Sequence, residues 1–103
     1  MQKLFIVCWG HASTDDDGNS VANCGVVGAY ASRKRAEDAL EADLNAFIES
    51  VVENYDGDDV QIVRDSMQTY GSVREGYFEV DYEGAFNNLE YRVEIVEQEA
   101  QED

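Results

Sequence analysis

Proline is absent from this chain, histidine occurs only at position 11, cysteine only at 8 and 24, and lysine only at 3 and 34. Without proline, and with no repeat, low-complexity block or linker, nothing divides the 103 residues. They read as one α+β domain over residues 1–97 with an acidic tail over 98–103. One histidine and two cysteines supply at most three soft ligands, fewer than a structural zinc site needs. Cys8 and His11 lie three apart on a chain leaving a strand, so they point to different sides and do not make a nucleophile–base pair. No Gly-rich phosphate loop, G-x-S-x-G or H-E-x-x-H occurs. No apolar run approaches the ~20 residues that span a bilayer. Residues 4–9 read as a strand and lack a signal-peptide cleavage pattern, which makes cytoplasm the expected compartment and free thiols the expected state of Cys8 and Cys24.

Positive charge is the scarcest feature. Seven bases stand against 23 acids, a formal net charge of -16. Nucleic acid and anionic membrane would be repelled by such a chain, so a basic protein surface is the expected partner. No cofactor is expected.

The apolar residues organise one long helix among strands. Ala36, Leu40, Leu44, Phe47, Val51 and Tyr55, with Ile48 and Val52 beside them, trace a stripe of 3.6-residue period. This predicts a helix over about residues 32–55, N-capped by Ser32. Residues 4–9 and 24–30 read as strands of a hairpin whose tip spans residues 10–20, with His11 in the loop. Centring it near Asp16 sets Cys8 opposite Cys24 and Ile6 opposite Val26, unless a bulge shifts the register. Residues 60–64 read as a third strand, and residues 65–71 fit either strand or loop. Phe78, Val80 and Tyr82 then alternate with Tyr77, Glu79 and Asp81. Leu89, Tyr91, Val93 and Ile95 alternate with Glu90, Arg92 and Glu94. The expected order is ββαβββ, one helix on one face of a mostly antiparallel sheet, with acids and tyrosines on the other.

Two groups of side chains are candidate binding residues. Glu37, Asp38, Glu41, Glu49 and Glu53 line the outer helix face. Tyr77, Glu79 and Asp81 lie on the later strands, where tyrosine among carboxylates suits an interface that engages arginine and lysine. Arg33 and Lys34 are placed to pair with Glu37 and Asp38. Asp15, Asp17 and Asn19 imitate the first positions of a calcium loop. Ser20 stands where its glycine belongs, however, and Val26 where its bidentate glutamate belongs, so these three are weak metal candidates.

The segments Gly28-Ala29-Tyr30-Ala31-Ser32-Arg33-Lys34-Arg35-Ala36-Glu37-Asp38-Ala39-Leu40 and Tyr91-Arg92-Val93-Glu94-Ile95-Val96-Glu97 resemble a loose group of small acidic phage and prophage proteins. These share a strand, a Ser/Thr cap, an Ala/Glu-rich helix and a closing acidic strand. In size and charge the chain is also similar, as a class, to phage DNA-mimic inhibitors of the anti-CRISPR and anti-restriction kind. That likeness implies a non-enzymatic inhibitor of a host nucleic-acid-binding protein. The rival expectation is a halophile-adapted small oligomeric binding module, since acid excess with few lysines also fits a salty cytoplasm.

Overall fold

The computed structural model describes residues 3–15, 18–83 and 87–99. Strands β1 (Lys3–Asp15) and β2 (Ser20–Tyr30) are followed by helices α1 (Arg33–Val52) and α2 (Asp58–Ser66). Strands β3 (Met67–Ser72), β4 (Tyr77–Glu83) and β5 (Asn87–Glu99) complete the chain. The fold is α+β. All five strands join one antiparallel sheet in the order β2-β1-β5-β4-β3, so β2 and β3 are its edges.

Helix α1 follows its apolar stripe. Ala36, Leu40 and Leu44 are buried in one cluster with Val7, Val80, Tyr91 and Val93. Val52 joins a second cluster with Val63, Tyr82 and Leu89. The Ser32 side chain accepts from the Arg35 amide at 3.4 Å, as expected of an N-cap. The helix ends at Val52, three residues short of the predicted limit, and Tyr55 packs from the loop beyond it.

Residues 60–64 are helix α2 and not a strand. A run this short does not betray its period, and the deciding signals lie at its ends. Asp58 and Asp59 occupy the first turn and Arg64 the last, each matching the helix dipole. At helical spacing Val60 and Val63 face the core while Ile62 stays exposed. The third strand is β3, in the span that fitted either strand or loop. Gly71 within it has φ +96, a left-handed conformation that glycine alone adopts cheaply.

The first hairpin is longer than expected. Residues 10–15 and Ser20, read as loop, belong to β1 and β2, and residues 21–23 also lie in β2. The register places Cys8 opposite Val26, Gly10 opposite Cys24 and Ile6 opposite Ala29, with an irregularity between Val7 and Cys8. The predicted Cys8–Cys24 pairing is therefore off by two residues along β2, and both thiols are free. His11 sits on β1 against the rings of Phe47 and Tyr91, not in a loop. Strands of 11–13 residues run roughly 37–44 Å at 3.4 Å per residue. They draw the molecule out to 52 × 26 × 19 Å, with a radius of gyration of 15.7 Å against about 13 Å for a compact chain of this length.

Candidate functional site

Alternation along β4 and β5 divides the sheet into two faces. Phe78, Val80, Tyr82, Leu89, Tyr91, Val93 and Ile95 join the core clusters. Tyr77, Glu79, Asp81, Glu90, Arg92 and Glu94 therefore project from the other face. The candidate binding residues fall into two groups with the sheet between them. Tyr77, Glu79 and Asp81 lie on the open face. Glu37, Asp38, Glu41, Glu49 and Glu53 lie on α1 and form no common patch with them.

Cross-strand partners on the open face are fixed by register: Tyr77 opposite Glu94, Glu79 opposite Arg92, and Asp81 opposite Glu90. Arg92 is the cation of this face. Its guanidinium donates to Glu79 and, at 3.4 Å, to Glu94, and it stacks 4.7 Å from the Tyr77 ring centroid. Partial burial alone would lower its pKa, but the two carboxylates hold it above its ordinary value. One arginine thus occupies a seat made of a tyrosine ring and two carboxylates.

The next pair along the strands has the carboxylates without the cation. Asp81 and Glu90 face each other directly, and among the described residues no ion pair engages either. Like charges directly opposite on a sheet are destabilising by a few tenths to about 1 kcal/mol. Their neighbour across β5 is Ala12, and a shallow depression of about 470 Å³ lies here, lined by Ala12, Thr14, Gln68, Asp81, Glu83 and Glu90. Neither Glu90 nor Glu94 was among the candidate binding residues, although the period-2 pattern of β5 put both on the face of Tyr77 and Asp81.

On α1, Lys34 pairs with Asp38 at 3.0 Å and Asp38 raises the lysine's pKa. Arg33 reaches the Arg74 carbonyl at 3.5 Å and not Glu37. Arg64 of α2 pairs with Glu49 at 2.7 Å. Among the described residues, Glu37, Glu41 and Glu53 have no ion-pair partner. The helix carries no acid in its first turn and no base in its last, so neither end has side-chain charge favoured by its dipole.

Asp43 lies under the helix, where the Tyr91 hydroxyl donates to it. Burial first, and then this hydrogen bond, push the Tyr91 phenol far above its ordinary pKa. The Tyr91 ring stacks on Phe47 at 3.8 Å between centroids. Trp9, His11, Asp43, Phe47 and Tyr91 border an open cleft of about 310 Å³.

Of the calcium-loop residues, Asp17 and the Asp15 side chain lie outside the described residues, and Asn19 is exposed. Among the described residues no three His, Cys, Asp or Glu side chains converge as a metal-ligand set. Among the described residues no helix is long and apolar enough to cross a membrane. No protein-family model, curated protein or solved structure matches the chain.

Proposed function

We propose that this chain is a non-enzymatic acidic binding protein whose open sheet face seats basic side chains of a partner protein. The observation that carries the reading is the Asp81–Glu90 pair, two carboxylates held together without a cation beside a position where Arg92 fills the equivalent seat. A partner's arginine or lysine would offset the like-charge cost of that pair. The charge arrangement of α1 supports the same reading. Three bases crowd its first turn and Glu49 and Glu53 its end, an order that forgoes about 0.3–1 kcal/mol at each terminus. In the finer form of the proposal the partner is a nucleic-acid-binding protein. The carboxylates then stand where phosphates would, as in the phage DNA-mimic inhibitors, and long-range attraction speeds encounter.

Titration with an arginine-rich peptide tests the coarse reading, and competition with duplex DNA for a basic DNA-binding protein tests the finer one. Affinity should fall steeply as salt rises, since exposed charges are screened beyond about 8 Å at physiological ionic strength. Asp81→Asn with Glu90→Gln should weaken peptide binding at least ten-fold. An affinity indifferent to both salt and these substitutions would sink the proposal.

The spread of unpaired carboxylates over both α1 and the open face also favours a second reading, adaptation to a salty cytoplasm. Circular dichroism against salt separates the two. A fold intact at low salt counts against halophilic adaptation, whereas a fold that forms only in molar salt supports it.

A further inference from the structure

We infer that β2 is a self-pairing edge, through which two copies of this chain join their sheets antiparallel about a two-fold axis. The first observation is charge. Residues 18–32 contain none, in a chain where 29% of residues are charged. Natural edge strands resist association through lysines, inward charges, proline or brevity. β2 runs 11 residues with no charge and no proline, and among the described residues no strand neighbours its outer row of backbone N–H and C=O groups.

The second observation is exposure on both faces of the strand. Val21 is 53% and Val26 64% exposed, and of β2 only Tyr30 packs against a core cluster. On the open face the apolar surface continues inward. Val26 lies opposite Cys8, and Ile6 sits between Ala29 and the exposed Val96. The band is apolar where β4 and β5 are acidic.

Charge also selects the occupant. Two copies each bearing a net charge of -16 repel one another wherever carboxylates meet, and β2, the longer of two edges without a charged residue, is where they approach at least cost. A basic partner finds nothing on β2 to attract it and is drawn to the carboxylate faces instead. Antiparallel pairing of a strand with its own copy is isologous, so one sequence supplies both halves of a complementary interface. The resulting ten-stranded sheet keeps both open faces on the same side and leaves Asp81 and Glu90 uncovered in each copy.

Sedimentation of the full chain over a range of concentration and salt tests the inference. The expected species is a dimer that tightens as salt rises, because screening removes like-charge repulsion. Val26→Glu, or Val21→Glu if the first is too mild, should weaken dimerisation at least ten-fold. Ile62→Glu, the same kind of substitution at a similarly exposed aliphatic residue on α2, should leave it unaltered. Amide exchange should show residues 20–30 gaining protection with concentration. A native chain that stays monomeric at every salt concentration would overturn the inference, as would a dimer indifferent to both glutamates or protection confined to β3. Because arginine-peptide binding is read separately and weakens with salt, failure here leaves the acidic-face proposal standing, and the converse also holds.

Discussion

The two edges of this sheet handle the same problem differently. β3 is six residues long, is interrupted by Gly71 at φ +96, and follows directly on α2. Neither edge carries a charged residue, but β2 is 11 residues long and without such a distortion. The sheet is also unequally covered. Toward β3, buried residues of both helices pack on Tyr82, Leu89 and Val80, whereas most of β2 is exposed on both sides. A short, distorted strand beside a helix protects itself sterically. A long, bare one awaits a partner strand. Charge marks a different boundary: the acidic face of β4 and β5 repels other copies, whereas the long β2 edge carries no charge.

Substitutions can break or sharpen that contrast. The largest effect should come from the covered half. Leu40→Ala opens a cavity beneath α1, where Leu40 is fully buried, and should cost about 2–5 kcal/mol by urea denaturation. Val21→Ala at the bare edge should change monomer stability by less than about 0.5 kcal/mol. Gly71→Ala comes next. The positive φ and the Tyr77 carbonyl leave a Cβ no room, so roughly 1–3 kcal/mol should be lost. At Gly10 a Cβ would meet nothing within 4 Å, and the same substitution should be tolerated.

Tyr91→Phe leaves Asp43 without its hydroxyl donor and should cost about 1–2 kcal/mol at neutral pH. The phenol's pKa is raised in the folded state, so folding binds its proton more tightly than the unfolded chain does. The stability linked to it is complete below about pH 10, the ordinary tyrosine value, and is lost as pH rises above that. The phenylalanine variant should therefore lose less stability than the native chain on going above pH 10, as chemical denaturation across that range will reveal. The smallest effect belongs to the exposed ion pair on α1. Lys34→Ala should leave the urea unfolding midpoint essentially unchanged, since an exposed ion pair in water contributes little.

Much of this was legible beforehand where a pattern was long. The α1 stripe from Ala36 to Val52 and the alternation of β5 each repeat often enough to fix both element and face. The Ser32 cap followed from the first, and the shared face of Leu89, Tyr91, Val93 and Ile95 from the second. Short runs were not legible. The apolar content of residues 60–63 fits strand and helix alike, and the helix-favouring Asp58-Asp59 and Arg64 were outweighed by β-branched residues. The hairpin misled for another reason. Polarity at residues 10–20 suggested a loop, yet β1 continues into it as far as Asp15 and β2 begins at Ser20, because β5 supplies a full-length neighbour for β1. Such pairing is long-range and leaves no local mark. The candidate binding residues were legible as carboxylates but not as a site, because their division by the sheet and the meeting of Asp81 with Glu90 depend on register.

By itself the sequence determined the charge, the class of the fold, the buried face of α1 and the two faces of β5, since each depends on composition or on a period within one segment. Only the tertiary structure decided which strands became edges, that Arg92 fills one acidic seat while the next stands without a cation, and that the uncharged stretch lies bare along β2. Those outcomes require segments distant in sequence to be brought side by side, and hydrogen-bond register between strands exists only once they are.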